Sequence, residues 1–358
     1  MKTFWSSRIK DLTPYKPGEQ PKDKRFIKLN TNENPYPPSP KVLEAIKAAA
    51  DKNLRLYPDP EAASLCSAIA NYYGLASEQV FVGNGSDEVL AFAFQAFFSP
   101  GKTIVFPDIT YTFYPVYCQF YDIPYREIPL TEYFNLPVQE FCGDYAGVVL
   151  ANPNAPTGKS VPVCKIRTVL EGNPNCVVLV DEAYVDFGGD SAVSLVDSYK
   201  NLLVVKTMSK SRSLAGLRVG YAMGDADLIA GLNCVKNSFN SYTVDRLALV
   251  GAEASLRDEA YYRAMLAKVS LVRNHTASRL KSMGFCVMES SANFIFISHK
   301  RAPARSLYQD LRDRGILVRY FNRPKIDNYL RVTIGTEEEM DTFCKTIQEV
   351  LEVNYHEV

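Results

Sequence analysis

Apolar residues in this chain come in two textures. Over roughly the first 225 positions, short apolar runs at 79–82, 103–108, 125–130, 146–151, 176–181 and 203–205 end abruptly in polar turns. Runs of that length are what strands buried on both faces show. Between them lie segments with helical spacing: 40–51 behind Pro40, 61–74 closed by Gly74, and the long apolar stretch after Gly85. Strand and helix in alternation predict an α/β fold, a large domain with a mostly parallel sheet flanked by helices. Past 225 the texture changes. Residues 227–283 read as long helices, and from 284 short strands alternate with helices at 303–314 and 336–353, which predicts a smaller α+β domain. We divide the chain into an N-terminal arm, 1–40, that joins the small domain, a large domain, 41–250, and a small domain, 251–358. The arm is rich in proline and polar groups and reads as extended with turns rather than helical. It either stays mobile or folds over a pocket or a partner subunit.

Composition removes whole classes of function. Lys+Arg and Asp+Glu both number 40, so no global field draws in nucleic acid or an anionic membrane. The eight cysteines are scattered and stand apart from the three histidines, which argues against a metal site and against a disulfide framework. The first ten residues hold no apolar core of signal-peptide length, and the run 88–98 is too short to span a bilayer. The expectation is a cytoplasmic protein of small-molecule chemistry, with no nucleic-acid or membrane partner.

Polar clusters recur at one kind of place. In a parallel sheet, ligands bind beyond the carboxyl ends of the strands, and Asn154, Asp181, Tyr184 and Lys210 all follow such ends. So does the turn from Gly83 to Asp87. Its glycines let the backbone approach a ligand, and the helix that starts there offers unpaired N–H groups to an anion. An ordinary helix cap at Ser86 explains the same turn equally well. Lys210 stands among Thr207 and Ser209 and ahead of Arg218. Desolvation and nearby positive charge lower a lysine's pKa and free a nucleophilic amine, while hydroxyls and a guanidinium suit a phosphate. These groups would serve a cofactor with an aldehyde, a protonated pyridine nitrogen, a phenolate and a phosphate. Lys210 would take the aldehyde, Asp181 the ring nitrogen and Tyr184 the phenolate. Tyr111 would stack on the ring. Gly85, Ser86, Asp87, Thr207, Ser209 and Arg218 would hold the phosphate.

The stretches LTPY (12–15), LNTNENPY (29–36), LYPDP (56–60), GNGSDE (83–88), NPNAPTG (152–158), DEAYVDF (181–187), SKSRSLAGLRVGY (209–221) and YLRVTIGT (329–336) run through the chain in order. In them the chain resembles the fold type I pyridoxal-phosphate aminotransferases, class II subfamily, and among these the histidinol-phosphate branch. The resemblance implies that Lys210 is the Schiff-base lysine, that Asp181 pairs with the pyridine nitrogen and that Tyr184 faces the phenolate oxygen. It implies a homodimer in which Tyr57 reaches the other subunit's cofactor phosphate. It implies that Arg319 and Arg331 grip the substrate's anion, with Asn32 at the substrate and Tyr15 closing the pocket from the arm. One position departs from the pattern. The family carries asparagine directly before the Pro-Thr-Gly of 156–158, donating to the phenolate oxygen, and here that position is Ala155. Either Asn154 shifts to make the bond or Tyr184 makes it alone.

The implied reaction moves an amino group between L-histidinol phosphate and 2-oxoglutarate, with Lys210 as the proton shuttle. Other activities on the same fold stay open: an aromatic or broad-range aminotransferase, or a threonine-phosphate decarboxylase. A cofactor-binding regulator of this fold is disfavoured, because the resemblance starts by residue 12 and Lys210 is retained.

Overall fold

The structure, a computed structural model, describes residues 4–10, 12–21 and 26–355. The remaining parts of the expected arm and small domain, 1–3, 11, 22–25 and 356–358, lie outside the described residues. In chain order the strands are β1 (Ile27–Lys28), β2 (Val80–Asn84), β3 (Ile104–Pro107), β4 (Tyr125–Ile128), β5 (Gly147–Ala151), β6 (Val177–Asp181) and β7 (Leu202–Thr207). They continue as β8 (Val219–Gly224), β9 (Phe285–Val287), β10 (Phe294–His299), β11 (Ile316–Leu317), β12 (Arg319–Tyr320) and β13 (Leu330–Thr333).

Seven of these form the large sheet, in the order β2-β8-β7-β6-β5-β3-β4. All run parallel except β8, which pairs antiparallel with both neighbours. Sequence periodicity did not single out β8. It follows Lys210 after a short turn, too soon for a helical crossover, so it can only return antiparallel. Both faces of the sheet are covered, and the side chains divide between them with period two. Val148, Leu150, Val178, Val180, Leu202 and Val204 enter one core. Val149, Leu179, Leu203 and Val205 enter the other, with Phe94, Phe106 and Tyr114. This is why the strands read as unbroken apolar runs. The same alternation sends Lys206 to the first face and Asp181 toward Tyr114 on the second.

The second sheet, β12-β13-β10-β9, is antiparallel and packs on the helices Glu259–Ser282, Ala304–Asp313 and Glu337–Asn354 through a core of Ile295, Ile297, Leu307, Val332 and Phe343. The arm is tied to this unit by β1, which pairs in parallel with β11. It also contains one helical turn, Ser7–Lys10, where only extended chain was expected. The division expected at 250 falls inside the helix Arg246–Arg257, which Asp245 caps by accepting from the N–H groups of Leu247 and Ala248. Ala248, Ala252 and Leu256 of that helix still belong to the core of the large sheet, and Val269 is already in the core of the small one. The cores therefore change between 256 and 269, a few residues past the expected point.

Candidate active site

The register Ala151–Asp181–Val205 aligns the ends of β5, β6 and β7 at one edge. Beyond that edge lies a cavity of ≈ 260 Å³ that also borders β12, β13 and the arm. Lys210 stands in it, and its Nζ donates to the backbone oxygen of Thr31 at 3.0 Å. Burial first, and then the Arg331 guanidinium, lower the Lys210 pKa to about 8. A second lysine four positions earlier has the opposite electrostatics. Lys206 is buried behind the sheet, 2.7 Å from Asp186 and 4.0 Å from Glu182. Burial alone would lower its pKa, but Asp186, Tyr221 and Glu182 outweigh that and raise it. One lysine is a locked cation and the other a reachable amine.

Asp181 forms the cavity floor. Its Oδ2 accepts from the Tyr114 hydroxyl at 2.8 Å, and its Oδ1 accepts from the Ala183 N–H at 3.2 Å. Even so, burial raises its pKa to about 6. A buried carboxylate that two hydrogen bonds do not fully compensate is a place for a cation. Tyr184 packs edge-on against Phe294, and its Oη accepts from Asn32 Nδ2 at 2.9 Å. Burial raises the Tyr184 pKa, so the hydroxyl keeps its proton at neutral pH.

One end of the cavity is made by the start of the helix Gly85–Phe97, with Ser86, Asp87, Thr207, Ser209 and Arg218 in the lining. Asn84, not Ser86, is the helix N-cap, and it makes no side-chain cap bond. The explanation of this turn as an ordinary Ser86 cap therefore fails. Gly85 has φ +81, and a Cβ there would meet Arg218. A Cβ at Gly220 of β8 would collide with the backbone of Gly85 and Ser86, so two glycines bring strand and helix start together. Arg218 sits beside Ser209 Oγ at 3.3 Å and Asp87 Oδ2 at 3.3 Å, on left-handed backbone with φ 55. The Asp87 carboxylate also accepts from the Tyr111 hydroxyl at 3.0 Å. A carboxylate repels a phosphate, so Asp87 can hold one only through its backbone N–H, while its side chain places Tyr111 and Arg218.

Arg319 and Arg331 are direct partners across the antiparallel pair β12–β13, which puts them on one face. Phe321 lies between them, 5.8 Å from one guanidinium carbon and 5.7 Å from the other. Arg319 donates to the backbone oxygens of Lys16 and Pro17, so the arm folds over the cavity. Tyr15 stacks on Phe113 with ring centres 4.7 Å apart and leans on Tyr111 at 6.0 Å.

Three expected residues are not in the lining of this cavity: Gly85, which directly precedes the lining residue Ser86, Asn154 and Tyr57. Asn154 lines a separate small cavity, where its Nδ2 donates to Ile109 O at 2.9 Å and Thr157 Oγ1 at 3.0 Å. Of the two alternatives, the shift of Asn154 to the site does not occur, because its amide is committed elsewhere, and Ala155 lines the main cavity instead. Tyr57 lies on the surface, 78% exposed and stacked on Tyr242. Other residues of the site went unread in the sequence: Thr31, which holds Lys210, Tyr114, which holds Asp181, and Phe321. Tyr114 stood within the aromatic run after β3, which was the one available signal. Thr31 acts through its backbone and leaves none.

The lining fits pyridoxal phosphate on the structure's own terms. It holds an amine, a carboxylate in need of a cation and a glycine-built helix start. Arg331 Nε and Thr110 Oγ1, both buried in the lining, have no hydrogen-bond partner among the described residues.

Residues 24–347 match the model of the family described as aminotransferase class I and II. The chain is 56% identical over 351 residues to the histidinol-phosphate aminotransferase of Clostridium acetobutylicum, covering 98% of this chain and all of that one. It is 50% identical over 358 residues to the histidinol-phosphate aminotransferase of Clostridium beijerinckii, covering all of both. In fold it is similar to the crystal structure of histidinol-phosphate aminotransferase from Sinorhizobium meliloti in complex with pyridoxal-5'-phosphate, with a TM-score of 0.89, 22% identity and 98% of each chain covered. By this full-length match the chain belongs to the class I and II aminotransferase family.

Proposed function

We propose that this protein moves an amino group from L-histidinol phosphate to 2-oxoglutarate, giving imidazole acetol phosphate and L-glutamate, a step of histidine biosynthesis that depends on pyridoxal 5'-phosphate. The observation that carries the reading is the meeting of Lys210, Asp181 and two guanidiniums in one cavity, in a chain 56% identical to a histidinol-phosphate aminotransferase.

When bound, the cofactor supplies an aldehyde that exchanges amino groups and a ring that draws electrons. Lys210 Nζ, neutral above about pH 8 in the free protein, gives and takes the proton at the substrate carbon. The Asp181 carboxylate holds the ring nitrogen protonated. The helix start at Gly85 and Ser86, with Thr207, Ser209 and Arg218, binds the phosphate. Arg319 and Arg331 grip the second anion, which is a phosphate in one substrate and a carboxylate in the other. Planar guanidinium forks suit both. Tyr15 and Tyr111 wall the cavity against water.

The reading includes a second copy of the chain. Tyr57, stacked on exposed Tyr242, would lie at the interface and reach the partner's cofactor phosphate. It also places the protein in the cytoplasm, with its small-molecule substrates. Among the described residues no helix is long and apolar enough to cross a membrane.

Parallel single-turnover assays with histidinol phosphate, phenylalanine and threonine phosphate test the substrate. Fastest loss of the cofactor's visible band with histidinol phosphate is the expected outcome. A preference for phenylalanine, or carbon dioxide release from threonine phosphate, overturns it.

A further inference from the structure

Tyr184 borders the cavity with a hydroxyl whose proton can point two ways. What surrounds it decides which. Asn32 Nδ2 donates to Tyr184 Oη at 2.9 Å. That bond occupies a lone pair and leaves the hydroxyl proton no acceptor on the Asn32 side. The amide is held in this sense from behind. Thr333 Oγ1 donates to Asn32 Oδ1 at 3.0 Å and accepts from the Asn32 N–H at 3.0 Å. Asn293 Nδ2 donates to the Asn32 carbonyl at 3.0 Å. Asn32 is buried, and its backbone is left-handed, φ 56. Ala155 and Phe294, which pack with the Tyr184 ring, bring no polar side-chain atom to it.

We infer that Asn32 is a positioning residue, which aims the Tyr184 hydroxyl proton into the cavity, and that Thr333 sets the sense of its amide. The inference rests on the cofactor reading above and deepens it. Asn32 itself need not touch substrate. Its side-chain oxygen and one amide hydrogen are already committed inside the protein, and its effect on the reaction passes through Tyr184.

The consequence is chemical. A proton donated to the cofactor's ring oxygen withdraws charge from it and weakens its hold on the proton of the neighbouring nitrogen. Losing that donor should move the pH midpoint of the cofactor's visible absorbance change upward. The charged groups facing Tyr184 are Lys210, whose Nζ is 5.8 Å from the ring centre, Arg331, Asp181 and Asp87, and the variants below leave all four in place.

The test is a spectral pH titration of the cofactor-loaded protein and its Asn32→Asp, Tyr184→Phe and doubly substituted forms. A carboxylate at 32 accepts where the amide donated, so the Tyr184 proton turns away from the cavity. Asn32→Asp should raise the midpoint by about one pH unit, tenfold in the proton equilibrium. On the Tyr184→Phe background, where only the added charge acts, the same substitution should shift the midpoint much less. An unchanged midpoint in Asn32→Asp, or shifts that simply add in the double variant, overturns the inference. If Asn32→Asp does not fold, Thr333→Val takes its place: it frees the amide to turn, and the midpoint should again rise, while an unmoved midpoint refutes the lock. Wild-type protein that develops no visible band with pyridoxal phosphate would instead refute the cofactor reading itself.

Discussion

Lys206 and Lys210 share a strand and its exit, yet only one is fit to react. Lys206 is enclosed with two carboxylates and stays charged. Lys210 faces an arginine in a desolvated cavity, and its pKa falls to about 8. A lowered pKa means that the folded protein favours the neutral amine, and the neutral fraction grows as pH rises toward that value. The rate at which cofactor-free protein captures pyridoxal phosphate, followed by visible absorbance, should therefore rise about tenfold per pH unit below about pH 8 and level above it. A flat rate across that range would show that Lys210 is not the titrating nucleophile. Asp181 was legible because it breaks an apolar run at its end, and Lys210 because it stands among hydroxyls just past another. Asn154 follows a strand in the same way, but its loop turns the amide to Ile109 and Thr157, and no local pattern encodes that direction. Thr31 and Tyr114 meet Lys210 and Asp181 across 179 and 67 positions of sequence, which is also beyond any local pattern.

The strand β7 shows how one element serves two faces. Its alternation delivers Lys206 to a polar nest behind the sheet. There Asp186 bonds both Lys206, at 2.7 Å, and Ser211 Oγ, at 2.6 Å, next to Lys210. Burial pushes the Asp186 carboxyl up, and Lys206 with Ser211 outweighs it and holds the pKa below the usual range. Burial raises Glu182 to about 7. Lys206→Met leaves these carboxylates without their cation and should destabilise the fold by about 3–5 kcal/mol at neutral pH. A carboxyl raised by burial weighs on the folded state above its folded pKa and is relieved as protons bind. Without Lys206 the Glu182 pKa rises further, so the loss should already shrink as pH falls from above 7, as urea unfolding would report. A loss that is independent of pH would mean that packing, not charge, dominates the nest. The parallel strands were legible as continuous apolar runs. The strand β8 was not, because it follows the lysine turn so closely that its apolar residues read as part of the same motif.

At the scale of the molecule, the large sheet, the small sheet and a folded-over arm build one cleft. The small sheet brings the arginine pair to the lysine that the large sheet presents. The texture change past 225 points to a second sheet with its own core, but the helix Arg246–Arg257 still packs on the large sheet, and helical spacing alone does not say which core a helix serves. Tyr57 belongs to this scale too, since its own chain leaves it 78% exposed. Sedimentation should find a dimer, and Tyr57→Phe should keep the dimer while weakening pyridoxal phosphate binding about tenfold, the cost of one hydrogen bond to a charged group. Unchanged binding would remove Tyr57 from the partner's site. The chemistry as a whole depends on a covalent bond at one amine. Borohydride reduction of the cofactor-loaded protein, followed by digestion and mass mapping, measures it directly. A phosphopyridoxyl group on Lys210 alone is the expected result. A group on Lys206 or any other lysine, or none at all, would contradict it.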